Sequence, residues 1–166
     1  MTDLVAVGKT AWDIVVASQS TMNEQADYIG VVPKGAENEL TGGGGVNHFD
    51  WEWKGPGIIL HDFWFLMQLE WSYGARHKGG GAFMTRAVVR LLDWNIRISG
   101  YHVNIKCRTG PIDNLGTDTA PITMVPIDVS MTWNHGIGGM SGGTNRFRIQ
   151  GDGAGHASYD DNSYEP

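Results

Sequence analysis

The chain has 166 residues, 41% of them hydrophobic and 18% charged, and a net charge of −6. That length suits a single domain, since one of roughly 150 residues already buries about 70% of its unfolded surface. The composition excludes a disordered chain, no apolar run approaches the ~20 residues a membrane helix needs, and the negative charge argues against a general nucleic-acid binder, which needs a basic face for phosphates.

At the start, Asp3 stands where a secretory signal would carry basic residues, and the apolar run Leu4 to Val7 is too short for a signal core. No Sec signal is expected, which predicts a cytoplasmic protein or one released by another route. Cys107 is the only cysteine, so no disulfide can form within the chain and packing has to hold the fold.

From Thr10 to Ile29 two periodicities compete. A weak helical stripe runs through Ala11, Ile14, Val15, Ser18 and Met22, but the β-branched run at Trp12 to Val16 favours a strand near Trp12–Ser18. A polar turn through Ser20–Gln25 and a strand near Tyr28–Val32, stopped by Pro33, follow from it. Four glycines, Gly42 to Gly45, then mark a loop or hinge.

Beyond them the alternation sharpens. Phe49, Trp51 and Trp53 share one face of a strand that Gly55-Pro56-Gly57 turns. Phe63, Phe65, Met67, Leu69 and Trp71 share one face of the next. After the glycine-rich stretch Gly74–Gly81, residues 82–92 are ambiguous. Phe83, Met84, Ala87, Val88, Leu91 and Leu92 repeat as a helical stripe, while a long edge strand would set Arg86 and Arg90 among apolar neighbours. Trp94 to Cys107 reads as a β-hairpin turning at Ser99-Gly100, with Val103, Ile105 and Cys107 opposite His102, Asn104 and Lys106. Thr123 to Trp133 is another strand, in which Pro126 belongs at an edge or bulge. Phe147 and Ile149 mark the last strand.

Seven or eight short strands joined by glycine-rich turns predict an all-β, single-domain antiparallel β-sandwich or jelly-roll-like barrel over residues 1–150, with one short helix near 82–92 as an alternative. Residues 151–166 form an acidic, polar C-terminal extension. It holds Asp152, Asp160, Asp161 and Glu165 without a Lys or Arg, whereas Arg76 to Arg108 is rich in cations. Solvated faces account for both runs; opposite charges on neighbouring subunits of a homo-oligomer would also use them.

No catalytic motif emerges, and no catalytic residue is assigned. Cys107 sits on the apolar phase of its strand, as a buried, inert thiol does. The histidines lack zinc-ligand spacing. Calcium is the one cofactor for which oxygen donors suggest themselves, either Asp152 with Asp160, Asp161 and Asn162, or Asp113 and Asn114 with Asp118, though neither set matches an EF-hand loop. Gly79-Gly80-Gly81, if it leads into a helix, would offer an anion site with His77, Lys78 and Arg86.

The seven tryptophans are the stronger functional signal. An exposed indole has uses that offset its cost to solubility, such as stacking on a sugar ring, anchoring at a membrane surface or filling a subunit contact. The leading expectation is therefore non-enzymatic, lectin-like carbohydrate recognition of a sugar or small polar ligand. Trp53 or Trp64 would stack on the ring, and Trp133, Asn134 and His135, with the 136–143 loop, would form the rim. The alternatives are a self-assembling or membrane-engaging tube, shell or pore subunit, and a small β-fold hydrolase using carboxylates drawn from Asp50, Glu52, Asp62, Glu70 and Asp128.

Overall fold

The structure is a computed structural model and describes residues 3–17, 20–22, 29–36, 38–56, 60, 62–135, 141–160 and 163–164. Among these residues all regular structure is strand and there is no helix. The first strands are β1 (Leu4–Gly8), β2 (Ala11–Ala17), β3 (Ser20–Met22), β4 (Ile29–Pro33), β5 (Leu40–Thr41), β6 (Gly45–Lys54), β7 (Phe63–Tyr73) and β8 (Ala75–His77). They are followed by β9 (Gly80–Ile96), β10 (Tyr101–Thr109), β11 (Asp113–Asn114), β12 (Thr123–His135), β13 (Ser141–Gln150), β14 (Gly155–Ser158) and β15 (Ser163–Tyr164).

These strands build two antiparallel sheets that pack face to face as a β-sandwich and do not close into a barrel. Sheet I runs in the order β1-β4-β9-β7-β6-β15, with β8 and β5 attached through β9; sheet II runs β14-β13-β12-β10-β2-β3, with β11 beside β12. The strict alternation of β7 explains its place. Phe63, Phe65, Met67, Leu69 and Trp71 are buried, while the residues between them are partly exposed on the outer face. In sheet II the same alternation buries Val103, Ile105 and Cys107 of β10 and Val125, Ile127, Val129 and Met131 of β12.

Where sequence leaves a helix open, at 82–92, the structure has the long strand β9, and it lies inside sheet I between β4 and β7. Two irregularities explain the ambiguity. Between β4 and β9 the register passes from Val31↔Met84 to Ile29↔Ala87, and between β7 and β9 from Leu66↔Asp93 to Met67↔Leu91. Each inserts an extra residue on β9, so apolar positions advance by three at the bulge and imitate a helical stripe. Arg86 and Arg90 then fall opposite Ser72 and Gln68, away from the core, and Arg90 Nη2 reaches Glu70 Oε1 at 3.0 Å.

Pro126 is likewise explained by the end of a ladder. It lies in β12 between two partner strands, but β10 pairs only as far as Thr109↔Ile127, and Gly110 N–H still donates to Pro126 O at 2.9 Å. The donor that proline lacks would serve only that last rung. The polar turn expected through Ser20–Gln25 starts instead with β3, and residues 23–25 lie outside the described residues.

After residue 150 the described strands pair with both sheets. β14 pairs with β13 in sheet II, β15 pairs with β6 in sheet I, and Ala157 and Tyr159 pack against the core. Phe147, at 1% exposure, links the two layers, with its ring centroid 4.8 Å from Trp51, 5.6 Å from Phe49 and 6.0 Å from Tyr159. Phe147→Ala should cost about 3–5 kcal/mol, as large-to-small changes at buried aromatics do. Urea unfolding would measure it, and a loss of a few tenths would show that the layers do not depend on this ring.

Candidate functional site

Trp53 is fully buried, edge-to-face with Trp51 at 5.8 Å and 89°, so it offers no face for a sugar to stack on. Its place follows from phase, because Trp51 and Trp53 alternate with Glu52 on a strand whose inner face is core. Trp64 is partly exposed on the outer phase of β7, between Lys54 and Asn95. Trp133 occupies the inward phase of β12, half-buried and edge-on to Phe63 at 5.4 Å. Asn134 lies opposite His102 on the outer phase of sheet II, and His135 stacks on Tyr101 at 4.6 Å with its Nε2 3.2 Å from Ser99 O. Trp133, Asn134 and His135 are thus neighbours at one end of β12, Trp64 belongs to the other sheet, and residues 136–140 of the expected rim loop lie outside the described residues.

The anion site expected around His77, Lys78 and Arg86 is not assembled. Gly79–Gly81 lead into a strand, so no helix N-terminus is present to attract an anion. Lys78 and Gly79, with φ of 51° and 78°, form a two-residue turn between β8 and β9, the geometry of a type I′ hairpin. His77 Nε2 stands 3.0 Å from Glu39 Oε2, and this hydrogen bond, with the nearby charge of Lys78, holds Glu39 below the usual carboxylate range. Arg86 lies six residues up β9, about 20 Å away at 3.3 Å per residue.

The oxygens considered for calcium are partly engaged in turns. Asn114 Oδ1 accepts from the N–H groups of Gly116 and Ile122, both at 3.0 Å, and Asp152 Oδ1 accepts from Ala154 N–H at 3.0 Å. Asp161 and Asn162 lie outside the described residues, and among those described no group of three or more His, Cys, Asp or Glu could hold a metal. Cys107 is buried in the core. That burial, and secondarily the charge of Asp13, pushes its thiol far above the ordinary range.

The feature that stands out is a shallow cavity of about 230 Å³ on the outer face of sheet II. Its polar lining comes from His102, Asn104 and Lys106 of β10 and from Thr132 and Asn134 of β12, with Val15 of β2, Val103 and Trp133 completing it. Register assembles it: Asn104 lies between Val15 and Thr132, and Asn134 is diagonal to it beside His102. The side-chain oxygens of both asparagines are shut off from solvent and meet no donor. A buried acceptor left unpaired costs about 1–3 kcal/mol. Of the lining, the sequence singles out Trp133 and Asn134. His102, Asn104 and Lys106 are legible as the polar phase of β10, but only the pairing of β10 with β12 brings them to Asn134.

Compared with known proteins, the chain matches no family model, no curated protein and no solved structure.

The Cys107 environment makes one prediction. Iodoacetamide in mildly alkaline buffer should leave the native thiol unmodified and label it fully in concentrated guanidinium chloride, as read by intact mass; labelling of the folded protein would place Cys107 in an opening region.

Proposed function

We propose that the protein is a non-enzymatic carbohydrate-recognition domain whose ligand lies on the outer face of sheet II. The observation that carries this reading is the pair of unpartnered amide oxygens, Asn104 Oδ1 and Asn134 Oδ1, beside one cavity. A rotation of each amide toward the cavity exchanges an unpaired acceptor for a hydroxyl donor of the ligand, and a polyol or pyranose supplies several such donors in one plane. Lys106 adds an ammonium donor for the sugar oxygens, Thr132, whose hydroxyl donates to Asn104 O at 3.4 Å, adds an acceptor for a ligand hydroxyl, and Val15 provides an apolar patch for a ring face. The lining contains no carboxylate and no thiol, which suits binding better than hydrolysis.

Fluorescently labelled protein on a broad glycan array, competed with free sugar, tests this directly. Asn134→Ala and Asn104→Ala should each weaken binding about tenfold, equivalent to about 1.4 kcal/mol, with thermal unfolding not lowered, since each removes an unpaired buried acceptor. Trp64→Ala, on the other sheet, should leave binding intact. A blank array, or binding lost only with Trp64, sinks the assignment.

One edge of the sandwich favours a second reading, that the chain assembles with itself. Among the described residues nothing pairs with the outer edge of β1. Asp3 O accepts from Lys34 N–H, so residues 3, 5 and 7 point their backbone groups toward β4, and Leu4, Ala6 and Gly8 point theirs outward. Two copies of β1 run antiparallel about a twofold axis at Ala6 set Val5 opposite Val7 and Asp3 opposite Lys9 of the second copy, with opposite charges flanking an uncharged strand. Light scattering should then give twice the chain mass, and Ala6→Pro, which removes an outward N–H only, should yield a monomer with its fold retained. A monomeric parent protein ends this reading.

A further inference from the structure

A second cavity, of about 420 Å³, opens on the same outer face of sheet II, where β12, β13 and β14 lie side by side. Arg146 and Arg148 enter it from alternate positions of β13, with Asp128 and Pro126 opposite them on β12 and Ser158 and His156 opposite them on β14. The charges along this face are not evenly balanced. Lys106 is opposite Asp13, and Arg108 and Arg146 both flank Asp128, but the cross-strand neighbours of Arg148 are Pro126 and His156, neither of which can neutralise it. Arg146 reaches Asp128 only weakly, with Nε 3.9 Å from Oδ1 and both side chains more than half exposed. A protein of net charge −6 therefore sets two guanidinium groups, an imidazole and the Ser158 hydroxyl against the single carboxylate of Asp128 around one depression.

Guanidinium groups bind oxyanions through paired N–H donors, and two of them on one strand face, about 7 Å apart, can grip one such group between them. This cavity shares β12 with the one at Asn104 and Asn134. Counting strands and residues along the register, the centres lie roughly 20 Å apart, at about 4.8 Å per strand and 3.4 Å per residue, with the outer faces of β12 and β13 continuous between them. We propose that the ligand is an acidic glycan, whose hydroxyl-rich units occupy the Asn104–Asn134 cavity and whose sulfate or carboxylate group is held between Arg146, Arg148 and His156. The proposal rests on the reading of the first cavity as a sugar site and adds the class of sugar polymer that fits the whole face.

The test compares the binding of dextran, dextran sulfate, polygalacturonate and an oligodeoxythymidine to the full chain by calorimetry at low and high salt. The expected result is tighter binding of dextran sulfate or polygalacturonate than of dextran, the tighter of the two naming the group held. Arg148→Gln should weaken that binding at least about tenfold and reduce its salt dependence, with thermal unfolding unchanged. Arg86→Gln, which removes the same charge from the outer face of sheet I, should do neither. No preference for a charged polymer over dextran, equal losses from Arg148→Gln and Arg86→Gln, or equally tight binding of the oligodeoxythymidine each overturns the proposal, the last in favour of a phosphate-backbone partner. Failure of the underlying sugar reading looks different: Asn104→Ala and Asn134→Ala would then change no affinity, while Arg148→Gln would still weaken binding of the charged polymer.

Discussion

The structure depends on the closure of two inner faces over one aromatic core. With a single cysteine, no disulfide can tie sheet I to sheet II, and beside the core only a few hydrogen bonds at the rims, such as Gly74 N–H to Gly151 O at 2.8 Å and Tyr101 Oη to Asp62 Oδ2 at 2.8 Å, cross between the layers among the described residues. The rings are placed accordingly: Phe147 of sheet II meets Trp51 and Phe49 of sheet I, and Phe63 of sheet I meets Tyr101 and Trp133 of sheet II. The indole nitrogens of Trp51, Trp53 and Trp71 are buried without hydrogen-bond partners, so these tryptophans contribute ring volume and contact area at the cost of unpaired donors. Most of the tryptophan content that suggests a binding surface is therefore explained by packing.

Once the inner phase is committed, the outer phase follows without further choice. A strand that turns Val103, Ile105 and Cys107 inward has to present His102, Asn104 and Lys106 outward, and the register of β10 with β12 sets them beside Thr132 and Asn134. The candidate site is in this sense a by-product of core packing. Strand backbones hold such side chains more firmly than loop tips would, which lowers the ordering cost of binding.

How much of this is legible in the sequence varies with the length of unbroken alternation. Phe63 to Trp71 and Val103 to Cys107 announce strand, face and burial together, because a buried side opposite a wet one leaves one phase possible. In β9 two bulges each add a residue, and the resulting steps of three resemble the spacing of a helix. The pairing of Gly155–Ser158 is hidden for a related reason: the segment carries no apolar alternation strong enough to show that β13 has a neighbour there. The site was less legible than the fold because sequence gives each strand its phase but not its neighbours. Trp53 and Asn134 both look available for binding in the chain, and only the layer each faces separates a core ring from a surface amide.

The same geometry limits how the two depressions on sheet II can communicate. β12 runs through both and is paired on either side, with β10 along the first and β13 along the second, so it has little freedom to shift at one end in response to the other. Side chains separated by more than 7–10 Å without shared partners contribute nearly independently to free energy. Any cooperation between the asparagine cavity and the arginine cavity therefore has to be carried by a ligand that spans them. On the proposed reading, a short sugar would meet only one of the two, whereas a chain long enough to reach both would make its second contact at the effective concentration the first one creates, so affinity would rise with polymer length without any movement of the protein.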